Sequence, residues 1–241
     1  MSLPFLDARE LPSEAAVDAL EAALRDGLDL EADPPRSHVP AAAGELLLMP
    51  STAAGAVGVK LVTVAPDHEP RIQGVYVLFD GETLAPVALV EGIGLTDVRT
   101  SAVSALAVRH LASATRRLVV FGTGPQARAH IAALAAEEAV VVGRDPAKTA
   151  AFASEVGGRA GGPEDVAQAD VVVCATTARE PLFDGDAVPE HATVVAMGSH
   201  EPGAREVDER LVARSTVVVE SRASALREAG DVIAAALHER S

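Results

Sequence analysis

The stretch RRLVVFGTGPQARAHIAAL, residues 116–134, decides how the rest of the chain is interpreted. A short apolar run at 118–121 leads directly into a glycine-rich turn, and an alanine-rich helical pattern follows from Gln126. This order of strand, turn and helix is the opening of a dinucleotide-binding βαβ unit. Free amides at the start of the helix would face the pyrophosphate, helped by the helix dipole. We therefore predict a bound dinucleotide; the alternative is an ordinary glycine turn between a buried strand and a helix.

The turn contains the residue types that such a site needs. Gly122 permits a tight turn, Gly124 lets the backbone approach a pyrophosphate, and Ala127 is small enough for the helix to pack on its strand. Pro125 suits the first turn of the helix, where its missing N–H costs no hydrogen bond. The cofactor-binding residues predicted from this motif are Gly122, Thr123, Gly124, Pro125, Gln126 and Ala127.

Composition and charge limit the possible classes of protein. The 241 residues suffice for one large or two small domains, and because 49% are hydrophobic but only 2% aromatic, Ala, Val and Leu must fill the core. The formal net charge of −15 argues against binding to nucleic acid or to anionic membranes. No apolar run approaches the roughly 20 residues of a membrane span, and the N-terminus lacks a signal pattern.

The single cysteine, Cys174, lies in an apolar run and cannot form an intramolecular disulfide. We expect a buried, inert thiol in a reducing compartment, and therefore a cytoplasmic protein. No Cys/His cluster has metal-ligand spacing, so we expect no structural metal.

The pattern of predicted elements changes near residue 113. Before it, two helical patterns flank strand patterns separated by Gly and Pro, which is typical of a small α+β domain with an antiparallel or mixed sheet. After it, strands alternate with helices, up to a last strand at 217–220, which predicts a Rossmann-type, doubly wound parallel sheet. The predicted limits are a first domain at 1–114, a dinucleotide-binding Rossmann domain at 115–230 and a short C-terminal tail at 231–241.

Ligands bind beyond the carboxyl ends of the strands in such sheets. The glycine turn, Gly143–Arg144, Thr176–Thr177 and Ser199–His200 all fall at predicted strand ends. Their convergence predicts one site, with Thr176, Thr177 and Ser199 beside the cofactor.

The end of the second strand indicates which cofactor is bound. NAD sites usually carry an acid there for the ribose hydroxyls, whereas this chain has Gly143 followed by Arg144. An arginine can pair with a 2′-phosphate, so NADP(H) is favoured over NAD(H). Alternatively, Arg144 is a solvated loop residue and Asp145 caps the next helix.

A second helix is predicted to start near Thr96, which places Arg99 in its first turn. The helix dipole disfavours a cation at that position. Two interpretations stay open: Arg99 is exposed and tolerated at a small cost, or it faces a cleft and attracts a carboxylate together with the helix amides.

Six stretches, in order over nearly the whole chain, together resemble the ornithine cyclodeaminase and mu-crystallin family. They are VGVKLVTVAP (57–66), GVYVLFDGETLAPVAL (74–89), GLTDVRTSAVSALAVRHLA (94–112), VVFGTGPQA (119–127), VVAMGSHEPGAREVDERLV (194–212) and EAGDV (228–232). The resemblance implies hydride exchange between a nicotinamide and the α-carbon of a small amino acid or imino acid. It also implies that the first domain binds the substrate and forms a homodimer.

Specific residues match the family's site. Arg36 and Arg99 would clamp the substrate carboxylate, since two guanidinium groups suit a planar carboxylate. Lys60 matches the active-site lysine and would polarise a carbonyl or imine near the reacting C–N bond; alternatively it is a strand lysine that faces solvent. Met49 would line the pocket or lie in the core.

The chain also departs from the family pattern. Cyclodeaminases carry an aspartate at the end of the fifth strand, where this chain has His200, which could protonate an imine near neutral pH or simply be a loop histidine. Family chains normally continue past 228–232 with a helix that returns to the first domain, and 231–241 largely lacks it.

Three functions therefore remain open. The first, favoured by His200 and Arg144, is an NAD(P)H-dependent oxidoreductase acting on the C–N bond of a small amino acid or cyclic imine, of ketimine reductase or amino-acid dehydrogenase type. The second is a cyclodeaminase, a lyase that releases ammonia with catalytic NAD. The third is a non-catalytic protein that binds a dinucleotide or another small ligand.

Overall fold

A computed structural model of the chain describes residues 2–199 and 201–238, and the side chains of 237 and 238 are not described. The chain divides into two compact units, Met1–Ala102 and Val103–Ser241. The domain limits expected from the sequence, at 114 and 230, remain a prediction.

The first unit is built on a sheet that contains six strands among the described residues. Its elements are β1 (Phe5–Leu6), α1 (Ser13–Arg25), β2 (Ser37–Ala41), β3 (Gly44–Ala53), β4 (Ala56–Val64), β5 (Ile72–Asp80), β6 (Pro86–Glu91) and the start of α2 (Gly92–Leu111). The strand order is β1-β6-β5-β4-β3-β2. Strands β2 to β6 pair antiparallel, and β1 pairs parallel with β6. The sheet is therefore mixed, one of the two arrangements expected from the sequence.

The two faces of this sheet differ in burial. Because side chains alternate along a strand, Leu47, Val62 and Ala88 share one face, and all three are buried. We call this the inner face. The outer face carries ten apolar residues that are only partly buried. They are Leu46, Leu48, Pro50, Val57, Val59, Leu61, Val75, Val77, Phe79 and Leu89.

Helix α2 begins earlier than the sequence pattern indicates. The carboxylate of Glu91 accepts hydrogen bonds from the backbone N–H groups of Ile93 (2.9 Å) and Gly94 (2.6 Å), and so caps a helix that starts at Gly92. Arg99 is therefore the eighth residue of the helix, two turns from its start. The prediction that Arg99 lies in the first turn is wrong, and the unfavourable dipole at the helix start does not apply to it.

The second unit contains a parallel sheet with helices on it. Its elements are β7 (Arg117–Phe121), α3 (Pro125–Leu134), β8 (Glu138–Val142), α4 (Pro146–Glu155), β9 (Arg159–Ala160), β10 (Val171–Cys174), β11 (Thr193–Ala196), α5 (Glu209–Ala213), α6 (Arg222–Glu228) and α7 (Gly230–His238). The order β11-β10-β7-β8-β9, with every pairing parallel, reverses direction between β7 and β10. This arrangement confirms the predicted Rossmann-type sheet and places its topological switch point beside the glycine turn.

Both faces of the parallel sheet are covered. In β7, Val119 and Phe121 belong to one apolar cluster, whereas Leu118 and Val120 belong to the cluster on the opposite face. All four are at most 3% exposed. Strands buried on both faces need continuous apolar runs, which explains the run at 118–121.

Two expectations about this unit have opposite outcomes. Cys174 is fully buried, as predicted, and burial raises the pKa of its thiol well above the usual value, which keeps it protonated and inert. The strand predicted at 217–220 is wrong: this segment pairs with no strand of the sheet, and Val217 and Val218 are exposed. In the described part of the chain, no helix combines the length and apolarity that crossing a bilayer requires.

Candidate functional site

The carboxyl edge of the parallel sheet contains the glycine turn. Gly122 has a positive φ of +121°, and a Cβ there would lie 2.4 Å from the carbonyl oxygen of Ala175, which follows β10. The N–H of Gly122 donates to the carbonyl of Val142 at the end of β8 (2.9 Å). Only glycine fits this position, because the turn passes between two neighbouring strand ends.

Gly124 has a different environment from Gly122. It has an extended backbone that any residue could adopt, and a Cβ there would meet nothing within 4 Å. Neither its backbone nor its neighbours require a glycine, so the open space in front of it suits a ligand that approaches the backbone. Gly124 is also the N-cap of α3, and it has no side chain that could accept hydrogen bonds from the free backbone amides at the start of that helix. These features fit a pyrophosphate.

The rest of the motif packs as the sequence indicates. Pro125 is the first residue of α3, and Ala127 is fully buried in the cluster that contains Leu118 and Val120. Gln126 accepts a hydrogen bond through its backbone carbonyl from the ring of His130 when Nδ1 carries the proton (2.7 Å). Thr123 is partly exposed.

The end of β8 presents an exposed arginine. Both Gly143 and Arg144 are exposed, and the next residue, Asp145, uses its carboxylate to cap α4. It accepts from the backbone N–H groups of Ala147 (2.9 Å) and Lys148 (3.0 Å). The alternative role considered for Asp145 is therefore observed, while exposure leaves Arg144 available to an anionic ligand.

The ends of β10 and β11 contain the remaining predicted cofactor contacts. Thr177 is exposed. Thr176 donates its hydroxyl to Glu206 (2.6 Å), and Ser199 donates its own to the carbonyl of Ala204 (2.6 Å). These two hydroxyls thus shape the strand-end turns, and their contact with a cofactor stays a prediction. His200 lies outside the described residues.

Glu206 also lies at these strand ends, although the sequence did not indicate it. Its carboxylate is fully buried and accepts hydrogen bonds from Thr176 and from the N–H of Gly198 (2.6 Å). Burial raises the pKa of Glu206, and the donated hydrogen bonds oppose that rise. The sequence around this residue does not distinguish it from other acids in the loop, because its hydrogen-bond partners lie in other segments of the chain.

In the first unit, Lys60 lies on the inner face of the sheet. It is directly opposite Met49 in β3 and Tyr76 in β5, and residues opposite each other share a face. Its Nζ donates to the hydroxyl of Thr96 in α2 (2.9 Å), which in turn donates to the carbonyl of Gly92 (2.7 Å). Lys60 is therefore not a strand lysine that faces solvent.

The environment of Lys60 lowers its pKa to about 8, compared with an ordinary value of 10.5. Burial is the main cause, and the positive charges of Arg99 and Arg36 add to it. These charges act on Lys60 only because the three cations are close together. The first unit thus brings together Lys60, Arg36 and Arg99, the three cations predicted from the sequence. We call them the cation cluster; a cluster of this kind attracts an anion such as a carboxylate.

The two arginines reach this cluster from different elements. Arg36 directly precedes β2, and the first residue of β2 pairs with Leu48. Because the two strands are antiparallel, the register brings Arg36 alongside Met49. Arg99 comes from α2. Both arginines are exposed, whereas Met49 is partly buried, as a lining residue would be. Their substrate contacts remain predictions.

Tyr76 also belongs to this row of side chains, although no sequence motif marks it. Burial raises the pKa of its phenol, and the charge of Asp33 adds to the rise. Tyr76 is therefore a neutral hydrogen-bonding group on the same face as Lys60. The pairing of β4 with β5, which identifies it, cannot be read from either strand alone.

Similar proteins include named reductases. A delta(1)-pyrroline-2-carboxylate reductase of Bacillus cereus is 35% identical over 206 residues, which cover 77% of this chain and 63% of that protein. The ketimine reductase mu-crystallin of Rattus norvegicus is 34% identical over 257 residues, covering 95% of this chain and 82% of that protein. The chain thus spans less than two thirds of the length of the Bacillus reductase.

Solved structures share the fold. Thermococcus litoralis delta(1)-pyrroline-2-carboxylate reductase in complex with NADH and L-proline aligns with a TM-score of 0.83 and 27% identity, over 98% of this chain and 81% of that chain. Residues 7–240 match the sequence profile of the ornithine cyclodeaminase/mu-crystallin family. The resemblance drawn from the six stretches is confirmed, and the chain belongs to the ornithine cyclodeaminase/mu-crystallin family.

Proposed function

We propose that this protein is an NAD(P)H-dependent oxidoreductase that acts on the C–N bond of a small imino or amino acid, of the ketimine reductase type. The observation that carries the proposal is Lys60, a half-buried lysine with a pKa of about 8 and two arginines near it. Relatives named as imine reductases support the choice of reaction.

The cation cluster has two tasks in this reaction. Arg36 and Arg99 bind the substrate carboxylate, which orients the adjacent imine carbon and nitrogen. Lys60 holds a proton on Nζ and donates it to the imine nitrogen. The imine becomes an amine when the nitrogen gains this proton and the carbon gains the hydride. A donor with a pKa near the working pH suits this task, because it is protonated at neutral pH and yet releases its proton readily.

The carboxyl edge of the parallel sheet binds the dinucleotide. The space before Gly124 and the uncapped amides of α3 receive the pyrophosphate, and the bound reduced nicotinamide supplies the hydride. We propose NADP(H) over NAD(H), because Arg144 is exposed at the end of β8 and the nearby carboxylate of Asp145 is engaged in capping α4.

The test is consumption of NADPH or NADH with cyclic imine carboxylates of five and six ring atoms and with 2-oxo acids plus ammonia. Turnover with any of these substrates supports the reductase. Ammonia release from ornithine with catalytic NAD and no net reduction would support a cyclodeaminase instead. Binding of either cofactor without any turnover would leave a ligand-binding protein.

The cofactor preference gives a specific prediction. Arg144→Ala should raise the KM for NADPH roughly 10-fold or more, since a charge-assisted hydrogen bond is worth about 1.5–3 kcal/mol. NADH lacks the 2′-phosphate and serves as the internal control, so its KM should change little. Equal KM changes for both cofactors would contradict the role of Arg144.

We also propose that the protein is a homodimer whose interface is the outer face of the first unit's sheet. Ten apolar residues form this face across β3 to β6, and each of them is partly exposed. A continuous apolar surface of this kind usually marks an interface. A second copy of the same face is the occupant that the family resemblance implies.

Val77→Glu tests this interface, because it places a charge at the centre of the outer face. Light scattering should give the mass of a dimer for the wild type and of a monomer for the variant. Ile72→Glu, in the same strand but on the other face and half exposed, should remain a dimer. A wild-type monomer would refute the proposal.

A further inference from the structure

Glu206 connects the turns that follow two neighbouring strands. One carboxylate oxygen accepts hydrogen bonds from the backbone N–H (2.8 Å) and the hydroxyl (2.6 Å) of Thr176, just beyond β10. The other oxygen accepts from the N–H of Gly198 (2.6 Å), just beyond β11. An ionised carboxylate offers acceptors only, so it matches three donors that converge on it.

The two turns are also in close backbone contact. A Cβ on Gly198 would lie 2.0 Å from the carbonyl oxygen of Thr176, so no side chain fits between them. Gly122 approaches Ala175 in the same manner on the other side. The ends of β7, β10 and β11 thus form one continuous backbone edge, and Glu206 joins its β10 and β11 turns.

A second buried acid holds Glu206 in place. Oδ1 of Asp231, in the first turn of α7, accepts from the backbone N–H groups of Glu206 (2.7 Å) and Val207 (2.9 Å). Asp231 is 7% exposed. The start of α7 therefore orients the segment that carries Glu206, which in turn spaces the strand-end turns.

The two strand ends that Glu206 joins, those of β10 and β11, belong to one half of the dinucleotide site. Doubly wound sheets consist of two mononucleotide-binding halves that meet at the switch point, and the half with the glycine turn and the end of the second strand binds the adenosine. Here that half is β7, β8 and β9, so the ends of β10 and β11 serve the other mononucleotide, which carries the nicotinamide.

We propose that Glu206 is a positioning residue for the nicotinamide half of the cofactor, acting through the spacing of the turns at Thr176 and Gly198. This inference rests on the proposed function, because it requires that the protein bind a nicotinamide dinucleotide. The hydrogen bonds of the Glu206 carboxylate go to the turns after β10 and β11, which are the strand ends of the nicotinamide half.

Glu206→Gln tests the proposal. The amide of glutamine has one acceptor oxygen, and its NH2 group would face the donors of either Thr176 or Gly198. The side chain could then accept from only one of the two turns and would no longer join them. We expect the Kd for NADPH to rise roughly 10-fold, equivalent to about 1.4 kcal/mol. The Kd for 2′,5′-ADP, which contains only the adenosine half, should not change. The fluorescence of bound NADPH should also move toward that of the free cofactor, because its nicotinamide is less fixed.

Asp208→Asn is the matched control. Asp208 is a buried acid two positions along, but it accepts from the N–H groups of Leu211 and Gly185 and caps α5, away from the strand ends. The Asp208→Asn variant should have a lower melting temperature but unchanged Kd values for NADPH and for 2′,5′-ADP. A merely structural role for Glu206 predicts the same behaviour for both variants, or an equal loss of both ligands.

The outcomes separate the inference from the function on which it rests. Wild-type protein that binds neither NADPH, NADH nor 2′,5′-ADP would overturn the proposed function and this inference with it. Wild-type binding of NADPH with Glu206→Gln indistinguishable from it would overturn only the positioning role. If Glu206→Gln does not fold, Asp231→Ala loosens the same segment, and it should weaken NADPH more than 2′,5′-ADP; equal effects would refute the proposal.

Discussion

Lys60→Met should lower kcat for imine reduction by roughly 10²- to 10⁴-fold, the usual contribution of a positioned acid or base, while dinucleotide binding stays unchanged. Methionine keeps the length and apolar stem of lysine but cannot hold a proton or a charge. Lys60 lies in the first unit and the glycine turn in the second, so the substitution leaves the residues predicted to bind the dinucleotide unchanged. A kcat within a few-fold of wild type would remove Lys60 from the mechanism.

The pH dependence identifies the role of Lys60 further. A lysine with a pKa of about 8 is protonated below pH 8 and loses its proton as the pH rises through that value. A proton donor works only in the protonated form, so kcat/KM for imine reduction should fall above pH 8. Oxidation of the amino acid requires the neutral amine as a base, so its kcat/KM should rise over the same interval.

Lys60→Arg is the control for this profile. It retains a positive charge that does not titrate in this range, so the limb near pH 8 should vanish in both directions of the reaction. A limb that persists in this variant would belong to another group, and the assignment of the proton to Lys60 would be wrong.

The second large effect concerns the carboxylate clamp. Arg99→Ala should reduce kcat/KM for the imino acid by roughly 10- to 100-fold, as the loss of one charged hydrogen-bond pair implies, with cofactor affinity unchanged. Arg109→Ala, an exposed arginine in the last turn of the same helix, is the matched control and should have little effect. A fall in cofactor affinity without a loss of substrate use would show that Arg99 has another task.

Arg99→Ala should also change the pH profile. The charge of Arg99 lowers the pKa of Lys60, so its removal should raise that pKa and shift the fall in kcat/KM to higher pH. This shift links the two side chains by a measurement that does not depend on the absolute rate. An unshifted limb would mean that Arg99 and Lys60 act independently.

Much of the dinucleotide edge could be predicted from the sequence because its signals are local. The strand, the turn and helix α3 follow each other within 116–134, so their order and the pattern of residue types can be read from one contiguous stretch. Gly122 and Ala127 have the roles expected of them, a tight turn and close packing. The six stretches identified the family for the same reason, since each is contiguous.

Errors arose where a distant or unexpected partner decided the local structure. The 217–220 segment has the composition of a strand but pairs with no strand of the sheet, and an unpaired run is not a strand. Helix α2 starts at Gly92 because the side chain of Glu91 caps it, and this moved Arg99 two turns into the helix.

The sequence by itself determined the Rossmann-type domain, the glycine turn, the cation candidates Arg36, Lys60 and Arg99, and membership of the family. Only the tertiary structure decided that Lys60 lies on the inner face between Met49 and Tyr76, because strand register sets which side chains are opposite each other. Likewise, only folding brings the donors of Thr176 and Gly198 to Glu206. Periodicity and motifs report interactions between near neighbours, whereas a buried carboxylate is stabilised by whichever donors the fold places around it.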